Sequence, residues 1–334
     1  MLLIQYLDTR QQPRVGLLSD DGAYYRPLLG ATSTYELAWS AIVAGHDLAT
    51  ELKRYEQGPS ASYAGLVAEG RVQTPLMHPD SAHCYVTGTG LTHLGSAATR
   101  DRMHQQQSAQ DAAKLTDSMK MFKLGVEGGK HAAGKPGVQP EWFYKGDGDI
   151  VVAPGHALPS PSFALDHGEE PELVGLYIIG PDRKPYRLGF AVGNEFSDHV
   201  TERQNYLYLA HSKLRPCSVG PALRVGALPD SLTGTSRIER KGEALWERPF
   251  LTGEANMCHS LANLEYHQFK YAQFLRPGDV HLHFFGTATL SFADNIQVQD
   301  GDEFVLQVPG FGPELRNPVR VDQPHFTVEG VVTL

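Results

Sequence analysis

The chain has 334 residues, 41% hydrophobic and 20% charged. These are ordinary globular figures that leave room for one large domain and one small one. A formal net charge of −9 leaves no general surplus of Lys and Arg to neutralise phosphates; this argues against nucleic-acid binding but permits a small anion in a locally positive pocket. The three cysteines, Cys84, Cys217 and Cys258, form neither a disulfide framework nor a paired metal motif, and a reducing cytoplasm is the natural compartment. No run of 18 apolar residues occurs, and the opening MLLIQYLDTR reaches Asp8 and Arg10 too soon for a signal peptide.

The first 30 residues read as short strands around turns, LLIQYL and PRVGLL, followed by DDGAYYRPL. Residues 33–58 are rich in Ala, Glu and Leu and read as helical. A turn-rich passage through MHPDSAH leads to the main body, whose first strand, HCYVTGTG, begins at His83. The division expected is a small N-terminal α+β domain over residues 1–78 and a mostly β catalytic domain over 79–334. Residues 96–123 lack Pro and Gly and read as a helix, whereas GVEGGKHAAGKPGVQP is too Gly-rich for one and reads as a functional loop. ELVGLYIIG (172–180) is a buried strand, LGFAVGNEFSD (188–198) contains another, and later strands are expected at 214–226, 279–287 and 303–309. Neither a G-x-G-x-x-G turn nor a P-loop is present, so neither nucleotide fold is supported.

Glu170, Pro171 and Glu172 stand immediately before the first of these strands. Two glutamates one residue apart project on the same side of a strand, and Pro171 places them at a strand start or edge. Two buried carboxylates on one side repel, and a divalent cation removes that repulsion. Glu195, at the end of the next apolar strand, is the third candidate ligand, with Asp166 and Glu169 as reserves. Oxygen-only ligands favour magnesium, manganese or calcium over zinc. An E-x-E pair by itself is equally compatible with a solvated turn.

Several blocks in order carry a family resemblance. Glu170-Pro171-Glu172-Leu173 matches an E-x-E-L strand, and Gly193-Asn194-Glu195-Phe196-Ser197 matches a glycine-asparagine-aspartate-x-serine block with Glu in place of Asp. Pro277-Gly278-Asp279-Val280, Gly286-Thr287 and Leu315-Arg316-Asn317-Pro318 follow in sequence. Over roughly residues 80–320 the chain resembles the fumarylacetoacetate hydrolase superfamily. The resemblance implies a mixed β-roll that binds magnesium through Glu170, Glu172 and Glu195, with manganese or calcium as substitutes, and a small 2-oxo acid substrate. It also implies a homodimer.

On the same resemblance Lys213, in HSKLRPCSVGP, and Lys145, in EWFYKGDGD, are the cationic candidates, Lys213 for catalysis and Lys145 for substrate binding. Thr287 resembles a threonine that contacts the substrate carboxylate. Hydrolases of the family carry a His and a Glu three residues apart. Here Ser96 stands three residues after His93, and a histidine without a carboxylate partner is a poorer base for water. That departure, and the stretch MFKLGVEGGK…GVQPEWFYKGDG, point to the sugar-acid subgroup and its hydro-lyases. The activity implied is dehydration of a 2-keto-3-deoxy-pentonate to 2,5-dioxopentanoate, with C–C hydrolysis of a 2,4-dioxo acid as the alternative. Lys213 or Glu127 would remove the C3 proton, and His93 or Glu127 would protonate the leaving hydroxyl. Ser96, Arg100, Arg102 and Lys120 would serve the sugar hydroxyls. His281 and His283 alternate along their strand, where structural roles are at least as natural as ligation.

Overall fold

The computed structural model describes residues 1–95, 116–130, 134–324 and 327–334. The chain opens with an antiparallel meander of β1 (Leu2–Leu7), β2 (Pro13–Leu18) and β3 (Tyr24–Pro27). Helices α1 (Thr34–Ala44) and α2 (Leu48–Leu52) follow, then β4 (Ala61–Ser62), α3 (Tyr63–Ala68) and β5 (Val72–Gln73). Next come β6 (Cys84–Gly90), α4 (Asp117–Gly128), β7 (Glu141–Gly146), β8 (Val151–Val152) and β9 (Leu158–Ser160). The long central strands are β10 (Pro171–Ile179) and β11 (Pro185–Asn194). Short helices α5 (His199–Gln204) and α6 (Leu209–Lys213) lead into β12 (Cys217–Val225). The hairpin β13 (Leu232–Arg240) and β14 (Glu243–Thr252), then α7 (Leu261–Phe269), β15 (Val280–Phe284), β16 (Glu303–Gln307) and β17 (Leu315–Val321) complete the fold.

One sheet runs β4-β3-β2-β1-β12-β11-β10-β15-β6-β7, with β5 on β1 and β8 on β12; a second runs β14-β13-β16-β17-β9. The opening meander continues the main sheet through β1 and β12, with Leu3 opposite Leu223. Strand β10 is buried along its whole length, because both faces are covered. Val174, Leu176 and Ile178 meet Leu37 and Ala38 of α1 in one core. Leu173 meets Phe250, Leu306 and Leu315 of the second sheet in another. A continuously apolar strand is the expected signature of such a two-sided position. Pro171 sits at the start of this central strand, where its missing N–H costs no ladder bond.

Three local expectations are corrected. The helix expected over 33–58 is two helices, because Gly45 stops α1 in the left-handed conformation (φ 73°) and Asp47 caps the N-terminus of α2. The Gly-rich stretch after Lys123 is not a loop at its start, since α4 runs through Gly125 to Gly128. A Cβ at position 125 would lie 2.6 Å from His259 Nε2, so glycine here permits close helix approach. The hairpin β13–β14 was not anticipated, because Arg237, Glu239, Glu247 and Arg248 mask a period-two pattern that buries Ile238 and Trp246. The first part of the helix expected over 96–123 lies outside the described residues. Among the described residues no helix is long and apolar enough to cross a membrane.

Two motif blocks serve the framework. At the far end of β10 from its glutamates, Gly278 N donates to Ile179 O at 2.8 Å and Ile179 N donates to Asp279 O at 2.9 Å. Arg316 bonds Glu239, Glu303 and Glu314, while Asn317 Nδ2 donates to Ala153 O and His156 O at 3.0 and 2.8 Å.

Gly193 lies opposite Glu172 in the β10–β11 ladder, and a Cβ there would stand 2.5 Å from Val174 Cγ2 and 2.6 Å from Phe284. Gly193→Ala is expected to destabilise the protein by about 1–3 kcal/mol through overpacking. Urea unfolding checks this, and an unchanged midpoint would refute the close-approach argument.

Candidate metal centre and active site

The ends of β10 and β11 bring the three glutamates together. Pro171 pairs with Asn194 and Glu172 with Gly193. Just beyond the ladder, Glu195 N donates to Glu170 O at 2.9 Å and Glu170 N donates to Asn194 Oδ1 at 3.2 Å. Glu172 continues the face of Val174 and Leu176, so the carboxylates cap one end of the α1-covered core. One carboxylate oxygen from each of Glu170, Glu172 and Glu195 lies within 4.8 Å of the others, and all three residues are buried.

Two buried lysines face this trio. Lys213, the last residue of α6, donates to Glu170 Oε1, to Glu195 Oε2 at 2.6 Å and to Ser197 Oγ at 3.0 Å. Its ammonium lies 5.1 Å from the centre of the Phe143 ring. Lys145, on β7, donates to Glu195 Oε1 and Phe196 O, each at 2.6 Å, and to Lys213 O at 3.0 Å. An ammonium has three donors, so those of both lysines are fully engaged. Lys145 therefore holds Glu195 and the backbone of Phe196 and Lys213. Burial opposes the charge on Lys213, but Glu170 and Glu195 raise its pKa above the ordinary lysine value.

The glutamates divide by environment. Burial pushes Glu170 up, yet Lys213 and His199 outweigh it and hold this carboxyl below the usual range. Glu172 is held well above that range by burial and then by the charges of Glu195 and Glu170; the Gly286 N–H, donating to Glu172 Oε2 at 2.6 Å, is a weaker opposing influence.

His199, which the sequence reading missed, opens α5 and spans two carboxylates. Nε2 meets Glu170 Oε1 and Nδ1 meets Asp166 Oδ2, each at 3.1 Å. Two carboxylate partners require both ring nitrogens to carry protons. Burial opposes that charge, but the bonds to Asp166 and Glu170 raise the pKa to about 10. Glu169, the other reserve, bonds Ser291 N and Oγ instead of joining the trio, and burial raises it to about 7.

His93 is buried, with Nδ1 3.1 Å from Thr92 Oγ1 and Nε2 3.2 Å from Thr252 Oγ1. Burial pulls its pKa down to about 4, and among the described residues it has no carboxylate partner. Thr287 follows Gly286, whose N–H holds Glu172, so this threonine stands beside the trio. Glu127 is exposed on α4 and pairs with Lys123 at 3.8 Å. Lys120 is also exposed and pairs with Asp117 at 2.8 Å. Ser96, Arg100 and Arg102 lie outside the described residues. His281 bonds Phe274 O and His283 faces Thr87 Oγ1, both within the sheet core.

A second missed residue is Glu141. It is buried on the face of β7 that also carries Phe143 and Lys145, and Tyr206 Oη donates to its Oε2 at 2.8 Å. A Cβ at Gly90 would stand 1.8 Å from Glu141 Oε1, which explains a glycine there. The alternation Glu141-x-Phe143-x-Lys145 was the available signal.

The described architecture is the fumarylacetoacetate-hydrolase-like mixed β-roll, mostly β with some α. Among solved structures, the apo form of 2-keto-3-deoxy-D-arabinonate dehydratase aligns over 97% of this chain and 100% of its own, with TM-score 0.70 and 20% identity. A structure of 2-keto-3-deoxy-D-arabinonate dehydratase complexed with magnesium and 2,5-dioxopentanoate aligns over the same shares with TM-score 0.70 and 19% identity. 2-Hydroxyhepta-2,4-diene-1,7-dioate isomerase from Mycobacterium marinum also aligns over 97% and 100%, with TM-score 0.58 and 17% identity. In sequence, a probable 2-keto-3-deoxyxylonate dehydratase of Haloferax volcanii is 31% identical over 131 residues, 37% of this chain and 44% of the relative. The match thus spans less than half the length of that curated relative. No family model matches the chain.

Because Glu172 is held above its ordinary value, the stability it contributes is present at low pH and lost as pH rises through the folded value. At pH 8 with chelator present, Glu172→Gln keeps an acceptor for Gly286 and removes the repulsion. The thermal midpoint is expected to rise by about 2 °C or more, corresponding to roughly 1 kcal/mol, and the upward shift caused by magnesium is expected to disappear. Calorimetry in chelator and in magnesium checks both; a lower midpoint in chelator would contradict the electrostatic reading.

Proposed function

We propose that this chain is a magnesium-dependent dehydratase converting a 2-keto-3-deoxy-pentonate to 2,5-dioxopentanoate. The observation that carries the reading is the buried trio Glu170, Glu172 and Glu195 flanked by two buried lysines. The resemblance of the fold to 2-keto-3-deoxy-D-arabinonate dehydratase supports the choice of substrate class. Three carboxylates and no sulfur or imidazole suit a hard cation of the magnesium type, with manganese or calcium as substitutes. Bound there, the cation supplies Lewis acidity to a 2-oxo carboxylate.

The chain's own residues supply positioning and proton transfer. Lys213 stays protonated between two glutamates, so it acts as a fixed positive charge and not as the C3 base. Glu127 faces solvent, and His93 is engaged by two threonine hydroxyls. Glu141, held by Tyr206 Oη, is a buried carboxylate on the face of β7 that carries Phe143 and Lys145. It takes the proton from C3 and returns it to the departing C4 hydroxyl, which leaves as water and gives the C3=C4 enone; loss of a C5 proton and return of a proton to C3 then give the C4=C5 enol, which takes a proton at C4 and loses its hydroxyl proton to become the 5-aldehyde. Thr287 binds the substrate carboxylate. The lack of a carboxylate behind His93 among the described residues argues against the hydrolase alternative.

Three further readings accompany this one. Phe163, Tyr208 and Leu214 line one surface groove of about 420 Å³, and the adjoining Leu207 is 81% exposed. A patch of this kind on a water-facing surface suits a second copy of the chain, giving a homodimer. The three cysteines are free and buried, in keeping with a reducing cytoplasm. Residues 1–78 are the N-terminal unit of the chain, completing the main sheet beside the catalytic part.

Product NMR tests the activity. Magnesium-loaded protein is expected to convert 2-keto-3-deoxy-pentonate to 2,5-dioxopentanoate, and Glu141→Gln is expected to lower kcat about 10²- to 10⁴-fold while the circular dichroism spectrum stays unchanged. Pyruvate released from a 2,4-dioxo analogue, with the deoxy acid untouched, would install the hydrolase reading.

A further inference from the structure

The hydrogen bonds around Glu170 limit how it can meet a cation. A carboxylate oxygen has two lone pairs, and Glu170 Oε1 already accepts from two donors, His199 Nε2 at 3.1 Å and the Lys213 ammonium. One oxygen of Glu170 is therefore left. The other glutamates are restrained in the same sense. Glu195 accepts from Lys145 at Oε1 and from Lys213 and Ser197 at Oε2, and Glu172 Oε2 accepts from Gly286 N. One oxygen of each glutamate lies within 4.8 Å of the others at the common centre.

That count bears on ion choice. Calcium takes six to eight oxygens and commonly binds carboxylates through both, whereas magnesium demands a small octahedral set and binds one oxygen per carboxylate. We propose that His199, aligned by Asp166, is a positioning residue that confines Glu170 to one metal-facing oxygen and so makes the site prefer magnesium or manganese over calcium. This rests on the metal-site reading above. The ring is well placed for the task. It is buried, fixed at Nδ1 by Asp166 Oδ2 at 3.1 Å and backed by the Phe292 ring at 5.2 Å. The two elements it joins, the segment before β10 and the start of α5, are tied by the Gly168–Ser197 bridge. Lys213 could follow a moving carboxylate on its flexible stem, but a clamped imidazole cannot. Outer partners of this kind orient a ligand and tune its affinity for the ion.

The test is calorimetric titration of the purified chain with Mg²⁺ and with Ca²⁺ at one pH. His199→Phe keeps a ring against Phe292 and removes both N–H donors, whereas His199→Gln keeps one donor for Glu170. With His199→Phe the magnesium Kd is expected to rise about tenfold while the calcium Kd changes by less than about threefold, so that discrimination narrows; His199→Gln is expected to recover most of it. Asp166→Asn, which frees the ring without removing it, is expected to shift the ratio in the same direction and serves if the Phe variant fails to fold. An unchanged calcium-to-magnesium ratio in the His199 and Asp166 variants, or a Gln variant as impaired as the Phe variant, overturns the role of His199 while leaving the metal site standing. Absence of binding by either ion to the unsubstituted protein overturns the metal-site reading and this inference with it.

Discussion

The local structure depends on the mutual repulsion of three carboxylates held out of water. Moving a single charge into an apolar interior is costly, and like charges at this separation add to the cost. Buried cations offset that cost. Lys213 bridges Glu170 and Glu195, Lys145 holds the far oxygen of Glu195, and His199 sits between Glu170 and Asp166. Among the described residues Glu172 has a backbone N–H as its hydrogen-bond partner, and its carboxyl is lifted well above the ordinary range. The site is thus balanced around Glu170 and Glu195 and leaves Glu172 to be neutralised by what binds.

The framework explains why these side chains cannot drift apart. Strands β10 and β11 share nine aligned residue pairs, interrupted by one register shift, and the trio stands where that ladder ends. Slipping it by one residue would turn Glu172 to the opposite face and bring Leu173 into its place. Gly193 lets the strand carrying Glu195 approach Val174 and Phe284 closely. At the opposite end of β10 the Gly278–Asp279 turn ties β15 to the strand through the bonds at Ile179. The Pro-Gly-Asp-Val and Leu-Arg-Asn-Pro blocks therefore mark fold rather than chemistry.

Legibility in the sequence followed the range of the interactions. The Glu170–Glu172 pair could be read because strand alternation is a local rule, and the apolar run after it announced a buried strand. Glu195 could be read from its place at the end of the next apolar strand, but the two lysines were readable only through the order of motif blocks, since Lys145 meets Glu195 across 50 residues of chain. His199 and Glu141 were missed for the same reason; the one is defined by Asp166, 33 residues earlier, and the other by Tyr206, 65 residues later. The segment around Glu127 was misread through composition. Glycine-rich sequence suggested a loop, yet Gly125 is there to admit His259 against a helix, and the helix carries Glu127 outward.

Charge also bears on the site. Glu170, Glu172, Glu195 and Asp166 face Lys145, Lys213 and His199, and Glu202 is a further buried acid whose charge acts on Lys213. Acids therefore outnumber cations here, and a divalent cation reduces that excess in an interior that screens poorly. The same balance assigns the lysines their part. Lys213 bridges two glutamates, which raise its pKa, and a neutral Lys213 would leave both unopposed; Lys145 meets Glu195 alone among them, and burial lowers its pKa.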